Sequence, residues 1–150
     1  MKRFLIPTIY TIGFTKKPLA RFIALLQGAG VDAIIDTRLR PNSQLSGYAK
    51  QDDLAFILKT FHIAYEHRPD LAPTDEILDT YRQAKDWQAY EVRFQPLIRE
   101  RAIEHIAQEV FDRYQTPCLL CSEDTADRCH RRLVAEYWAE HIPILEIVHL

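Results

Sequence analysis

The sequence predicts an α/β protein: a three-layer sandwich around a mostly parallel five-stranded sheet, Rossmann-like in the broad sense. Short β-branched and apolar runs alternate along the chain with segments of helical spacing. That alternation favours helical crossovers, which return successive strands in the same direction. The 150 residues, 47% of them hydrophobic, suffice for one domain over residues 1–150 with its own core.

The first half of the chain contains three predicted strands and two predicted helices. Residues 9–12 form the first strand, which Gly13 ends, and residues 31–35 form the second. A helix begins at Pro18 and ends at Gly28 and Gly30. After a loop over 39–49, a helix with apolar residues between 54 and 61 precedes a third strand over 62–67.

The second half contains two further strands and mostly helix. A loop over 69–75 leads into a helical region with a break near Asp86. Pro96 is predicted to begin the clearest helix, which Pro117 ends. A short strand over 118–121, a helix over 128–141 and a strand over 144–148 complete the chain. The stripe that predicts the helix after Pro96 consists of Ile98, Ala102, Ile106 and Val110.

Composition excludes several classes of protein. With 19 basic and 21 acidic residues the formal charge is −2, whereas a global nucleic-acid footprint needs a clearly basic domain; a local basic patch stays open. No apolar run approaches the about 20 residues that span a bilayer, and no signal-peptide core is visible. Three clustered cysteines do not make a secreted disulfide framework. We therefore expect a cytoplasmic protein without a membrane partner.

The strand pattern predicts where a site should lie. Ligands of open parallel sheets bind beyond the carboxyl ends of the strands. The first strand is followed by Thr15, the second ends at Asp36 with Arg38 behind it, and the fourth leads into Cys121 and Glu123. We expect these side chains to meet at one edge of the sheet.

The loop after the fourth strand carries the main candidate chemistry. Cys121 ends the strand, and Cys129, eight positions later, stands near the start of a helix. Exposed N–H groups at a helix start favour anions and lower the pKa of a thiol. Cys121 is therefore a candidate nucleophile, and Cys129, His130 and Arg131 are candidate anion-binding residues together with Thr15 and Arg38.

Other interpretations of this loop remain open. In the register of a cysteine-dependent phosphatase, Asp127 stands where an arginine is needed. A zinc site on Cys121, Cys129 and His130 lacks a paired C-x2-C and an obvious fourth ligand, so no metal ligand is assigned. A Cys121–Cys129 redox pair is a further alternative. Cys118 is interpreted as core packing, which is also the competing interpretation of Cys121.

Two carboxylates and an aromatic cluster complete the candidates. Asp36 and Glu123 could act as base and acid or hold a ribose hydroxyl. Asp36 could equally be the ion-pair partner of Arg38, two positions away. Trp87, Tyr90 and Phe94 could stack a base, although their near-helical spacing favours core packing.

Several short motifs together resemble the domain-of-unknown-function family 488, from about Tyr10 to His149. The most specific is Cys-x-Glu followed by Cys-His-Arg at the opening of a helix. The resemblance implies a fold and a candidate site rather than a reaction. The family commonly has histidine where this chain has Phe14, and a basic or aromatic pair where it has Leu39 and Arg40. The motifs are Thr11-Ile12-Gly13, Asp36-Thr37-Arg38, Tyr65-Glu66-His67, Pro69-Asp70-Leu71, Leu119-Leu120-Cys121-Ser122-Glu123 and Cys129-His130-Arg131.

The leading functional hypothesis is an enzyme acting on an anionic small molecule such as a nucleotide or sugar phosphate. Arg38 and Arg131 would bind the anion with the helix start at Cys129 and His130, and Cys121 or Glu123 would act as nucleophile or general base. The alternatives are a non-catalytic nucleotide or nucleic-acid binding module and a metal or thiol-redox protein. The sequence assigns no cofactor and leaves the oligomeric state open.

Overall fold

A computed structural model describes residues 6–43 and 47–150 of the protein. They contain one five-stranded sheet in which every pairing is parallel, with the strand order β3-β2-β4-β1-β5. The predicted α/β class with a parallel sheet is confirmed. The strands are β1 (Thr8–Gly13), β2 (Ala33–Asp36), β3 (Ala64–His67), β4 (Pro117–Cys121) and β5 (Glu146–His149).

Six α-helices connect or flank these strands in the described part of the chain. None of them is both long enough and apolar enough to span a membrane. Short 3-10 turns lie at Pro41–Ser43, Gly47–Ala49 and Pro69–Leu71. The α-helices are α1 (Leu19–Gly28), α2 (Gln51–Thr60), α3 (Asp75–Ala84), α4 (Trp87–Glu100), α5 (Glu104–Arg113) and α6 (His130–His141).

The strand register brings the carboxyl ends of the inner strands to one level. Gly13 of β1 pairs with Cys121 of β4, and Asp36 of β2 pairs with Leu120 of β4. The same end of β3 is level with β2, because Asp36 also pairs with His67. The edge where the sequence predicts a site is therefore formed by β1, β2, β3 and β4 together.

Helices cover both faces of the sheet. Alternate residues of a strand point to opposite faces, so Ile34 and Ile35 of β2 enter different cores. One core receives Phe22 and Leu26 from α1 together with residues of α2. The opposite core is filled by residues of α3 to α6, among them the fully buried Trp138. This arrangement makes the three layers.

The prediction that Pro96 begins a helix is wrong. Pro96 lies inside α4, which starts at Trp87 because the Asp86 carboxylate accepts a hydrogen bond from the Ala89 N–H at 3.1 Å. The predicted stripe is also interrupted, since Ala102 adopts a positive φ of 53° between α4 and α5. The turn at Ala102 thus places Ile98 and Ile106 on two different helices.

Smaller differences concern the ends of elements. The sequence predicts β3 from residue 62, but His62 has a φ of 61° and the strand starts at Ala64. The last helix is predicted from residue 128, but Cys129 has an extended backbone, so α6 starts at His130. The predicted loop over 39–49 contains two 3-10 turns, and its residues 44–46 lie outside the described part of the chain.

Gly13 is required where β1 approaches the loop after β4. A Cβ atom at this position would lie 1.5 Å from the carbonyl oxygen of Glu123 and 3.1 Å from Nη1 of Arg131. The substitution Gly13→Ala should therefore lower the free energy of unfolding by at least about 1–3 kcal/mol, as overpacking does. Chemical denaturation followed by circular dichroism measures the change.

Gly28→Ala provides the matched control for this prediction. Gly28 ends α1, and a Cβ atom there would meet nothing within 4 Å. The free energy of unfolding of the Gly28→Ala variant should rise by less than about 1 kcal/mol, because alanine has a higher helix propensity than glycine. Equal effects of the two substitutions would contradict the described approach of β1 to the loop.

Candidate functional site

A cleft of about 560 Å³ opens at the carboxyl ends of β2 and β4. Its wall combines cations, aromatic rings, a carboxyl group, an imidazole and the two thiols of Cys121 and Cys129. The lining residues that the following argument uses are Arg38, Tyr81, Lys85, Trp87, Cys121, Glu123, Arg128, Cys129 and His130.

The cleft contains a cysteine–histidine contact. Cys121 is the last residue of β4, and His130 is the first residue of α6. The Cys121 Sγ lies 3.5 Å from the His130 Nδ1. Both side chains are nearly buried, with 6% and 7% of their surface exposed. The end of a strand and the start of a helix thus bring a thiol and an imidazole together.

Thr37 fixes the tautomer of His130. The His130 Nε2 lies 2.8 Å from the Thr37 carbonyl oxygen and 2.9 Å from its Oγ1. A carbonyl oxygen only accepts hydrogen bonds, so Nε2 must carry a proton. The Thr37 hydroxyl donates to the Leu120 carbonyl at 2.8 Å and is left to accept from Nε2. The Nδ1 atom is then the basic nitrogen that faces the thiol of Cys121.

The surroundings favour a thiolate at Cys121. The neighbouring Cys129 thiol, whose Sγ lies within 4.8 Å of the Cys121 Sγ, together with the charges of His130 and Arg131, holds the pKa of Cys121 well below its usual value despite burial. Burial lowers the pKa of His130, but the neighbouring Cys121 thiolate and the Thr37 carbonyl outweigh it and the net shift is upward. Burial and the Cys121 thiolate raise the pKa of Cys129, which therefore remains a neutral donor.

Glu123 places a carboxyl group on the same cleft. Glu123 is exposed, but its partial desolvation and the negative charge of Cys121 raise the pKa of its carboxyl group above the usual value. Its backbone is fixed, because the Glu123 carbonyl accepts a hydrogen bond from Nη1 of Arg131 at 2.7 Å. Nε of Arg131 also donates to the Thr11 hydroxyl at 3.2 Å. Arg131 is fully buried and is absent from the cleft lining that the described residues form. Its hydrogen bonds instead connect the loop after β4 to β1.

Arg38 and Asp36 form a buried ion pair at the end of β2. Nε of Arg38 donates to Oδ1 of Asp36 at 2.9 Å, and Nη2 donates to Oδ2 at 2.8 Å. The Tyr65 hydroxyl also donates to Asp36. The guanidinium lies over the ring of Phe14, 5.1 Å from its centroid. Arg38 lines the cleft, and within residues 6–43 and 47–150 its buried Nη1 has no hydrogen-bond partner.

The structure brings most of the predicted site residues together. Arg38, Cys121, Glu123, Cys129 and His130 line the cleft. Asp36 is fully buried behind Arg38, and Thr15 contributes a backbone N–H to the Ser122 carbonyl at 3.1 Å. These last two residues and Arg131 lie outside the lining that the described residues form.

Sequence reasoning missed four contributors. Thr37 acts through its backbone carbonyl, which residue type does not reveal. Lys85 and Tyr81 come from the helical region after β3, and no strand-end rule points to them. Arg128 precedes α6 and is exposed, and its residue type alone does not distinguish it from other surface arginines. For Trp87 the helical spacing favours core packing over base stacking, but the structure places its ring in the cleft lining.

Among the described residues, the two thiols and the imidazole also form a group that could bind a metal ion. The Sγ atoms of Cys121 and Cys129 and a ring nitrogen of His130 all lie within 4.8 Å of one another. Thiolate and imidazole are ligands that zinc prefers, although structural zinc sites take four ligands. The donor set therefore fits three positions of such a site.

Replacing His130 should raise the pKa of Cys121. In His130→Asn the imidazolium charge is lost, so the thiolate forms at higher pH and alkylation near pH 7 should slow by several-fold. The rate of Cys121 alkylation by iodoacetamide against pH, with the site assigned by peptide mass spectrometry, measures this. His141→Asn, at the far end of α6, is the control. An unchanged profile in His130→Asn would show that the imidazole does not act on the thiol.

Breaking the Asp36–Arg38 pair should destabilise the fold. Both side chains are buried, so Asp36→Asn leaves a buried charge unpaired and should cost about 3–5 kcal/mol. Asp75→Asn breaks the Arg40–Asp75 pair, whose side chains are both 58% exposed, and should cost less than about 1 kcal/mol. Urea denaturation of the two variants compares them directly. A similar loss in both would contradict the buried character of the first pair.

Comparison with known proteins yields one family. Neither the curated proteins nor the solved structures contain a match to this chain. The family model described as "Domain of unknown function DUF488" matches residues 18–138, which include β2, β3, β4 and most of α6. The match spans the Asp36-Thr37-Arg38 segment and the complete Cys121–His130 loop, and the chain accordingly belongs to the DUF488 family.

Proposed function

We propose that this protein is an enzyme that acts on an anionic small molecule, such as a nucleotide or sugar phosphate, through a cysteine nucleophile. The observation that carries the proposal is the Cys121–His130 contact of 3.5 Å, in which Thr37 leaves Nδ1 as the base. A nucleophile, a base and a group that orients the base form the arrangement that covalent catalysis requires.

The charges around the cleft supply the attraction for an anion. Lys85 and Arg128 line the cleft and are exposed. Neither forms an ion pair with another described residue. Arg38 adds a guanidinium whose buried Nη1 has no hydrogen-bond partner among the described residues. Cations that border a cleft raise the local concentration of an anionic ligand. We assign substrate binding to these three residues, with the backbone at Cys129 and His130 at the start of α6.

The chemical step follows from the two protonation states. The Cys121 thiolate attacks an electrophilic carbonyl carbon or phosphorus, a bond from sulfur to that atom forms, and the leaving group departs with the proton from Nδ1 of His130. Neutral His130 then takes a proton from a water molecule. The resulting hydroxide attacks the covalent intermediate, the bond to sulfur breaks, and Cys121 leaves as a thiolate beside imidazolium.

Two carboxylates have different roles in this proposal. Glu123 borders the cleft near the thiol and has a raised pKa, so it is placed to exchange a proton with the leaving group or the water. Asp36 accepts hydrogen bonds from Arg38 and Tyr65 with both of its oxygens engaged. We therefore propose Asp36 as a residue that positions Arg38 rather than as a general base.

The cationic cleft should make Cys121 prefer an anionic alkylating agent. The ratio of the iodoacetate rate to the iodoacetamide rate should be at least about tenfold higher for Cys121 than for a small free thiol, because the cleft attracts the carboxylate. The double variant Lys85→Ala, Arg128→Ala should lose most of that preference. Rates measured by quenched-time mass spectrometry of the Cys121 peptide give the ratio.

Matched controls separate the cleft from net charge. Arg21→Ala, Lys59→Ala removes two exposed cations from α1 and α2, outside the cleft lining, and should keep the preference. Cys118→Ser removes a thiol that is fully buried and should leave the Cys121 rates unchanged. Equal relative rates for both reagents, or a stoichiometric metal ion in elemental analysis of the purified protein, would contradict a free nucleophilic thiolate at Cys121.

A further inference from the structure

We propose that the substrate of this cleft is a free mononucleotide, whose base packs on Trp87 while its phosphate meets the cations beside it. This inference rests on the proposed function and narrows its substrate class. It is carried by an aromatic wall that the catalytic step does not use, and by the cations that lie on the same cleft.

Three rings form the aromatic wall: Trp87 and Tyr90 of α4 and Tyr81 of α3. The Trp87 and Tyr90 rings are stacked, with centroids 4.7 Å apart and planes 16° apart. Tyr81 meets both rings edge-on, at 5.8 Å and 5.4 Å. All three rings line the cleft; Tyr90 is buried, whereas Trp87 and Tyr81 remain partly exposed. Tyr90 therefore backs the indole, and aromatic surface is left for a ligand.

The indole of Trp87 is held in place by a chain of hydrogen bonds. Its Nε1 donates to Oε1 of Glu91 at 2.6 Å, and the same carboxylate oxygen accepts from Nη2 of Arg132 at 2.8 Å. The only polar atom of the ring is thus occupied by the protein. What Trp87 offers to the cleft is aromatic carbon surface, which favours a planar ring and discriminates little between bases.

Cations lie next to this wall. Lys85 ends α3 in a left-handed conformation, with a φ of 51°, only two positions before Trp87. Arg128 and Arg38 contribute two further positive groups to the same lining. Arg38 is 97% buried, and its Nη1 has no partner among the described residues, so the site retains a buried donor for an anion. A ligand that combines a planar ring with a phosphate uses both features.

Size and charge favour a free nucleotide over a nucleic acid. A cleft of about 560 Å³ lies within the range of sites for single small molecules. The chain has a formal charge of −2, whereas nucleic-acid binding depends on many phosphate contacts from a basic surface. A sugar phosphate would leave the aromatic wall without a partner.

The test uses the full-length protein and its two tryptophans. Trp138 is fully buried, so a ligand in the cleft should quench the fluorescence of Trp87 alone. Titrations with AMP, adenosine and ribose 5-phosphate, followed by fluorescence and by calorimetry, compare the whole ligand with its two parts. The Trp87→Phe variant should keep AMP binding in calorimetry but lose the quenching.

The result expected is saturable quenching by AMP, with at least about tenfold weaker binding of adenosine and of ribose 5-phosphate. Trp87→Ala should weaken AMP binding by about tenfold, and Phe56→Ala, which removes an exposed ring outside the cleft lining, should not. Equal binding of AMP and ribose 5-phosphate would overturn the inference. So would a single-stranded oligonucleotide that binds tenfold more tightly than AMP.

The failures of the two proposals are distinguishable. If AMP does not bind but Cys121 still prefers iodoacetate, the nucleotide inference is overturned and the cysteine enzyme stands. If AMP binds as expected but Cys121 shows no anionic preference and no thiolate, the nucleotide site stands without the cysteine mechanism.

Discussion

The carbonyl oxygen of Leu120 accepts two hydrogen bonds from Thr37, one from its N–H at 3.0 Å and one from its hydroxyl at 2.8 Å. The rest of the site depends on this junction between the ends of β2 and β4. It leaves the Thr37 carbonyl free to accept from Nε2 of His130, which turns Nδ1 toward Cys121. A backbone contact at the sheet edge thereby determines which nitrogen of the imidazole faces the thiol as an acceptor when the ring is neutral.

The site is built from buried polar and charged groups, and such groups are costly unless they are paired. Asp36 compensates Arg38 with two parallel hydrogen bonds, a geometry that fixes a guanidinium in one orientation. Arg131 donates to the Glu123 carbonyl and the Thr11 hydroxyl, whereas its buried Nη2 has no hydrogen-bond partner among the described residues. Gly13 permits this close approach, since any Cβ there would collide with the Glu123 carbonyl. The guanidinium groups of Arg38 and Arg131 are therefore held in position by the fold itself.

The sheet and much of the site could be predicted because both follow from local patterns. Apolar strands separated by helices predict parallel pairing, and the strand-end rule places Arg38, Cys121 and Glu123 at one edge. Other features depend on contacts that spacing does not encode. Pro96 resembles a helix start, but the Asp86 cap begins that helix nine residues earlier, at Trp87. Thr37 acts through a main-chain atom, and the cleft surface of Trp87 arises from the packing of α3 beside α4. The contact of Phe14 with the Arg38 guanidinium is likewise not visible in the sequence.

The central claim is that Cys121 and His130 form a thiolate–imidazolium pair, and that Thr37 keeps the proton on Nε2 when the ring is neutral. The ¹⁵N chemical shifts of the His130 ring near neutral pH test it most directly, with the signal identified by its loss in His130→Asn. We expect both ring nitrogens to carry protons in the unmodified protein, and the ring to become neutral with the proton on Nε2 in Cys121→Ser. An unprotonated Nδ1 in the unmodified protein, or a proton on Nδ1 alone, would contradict the account.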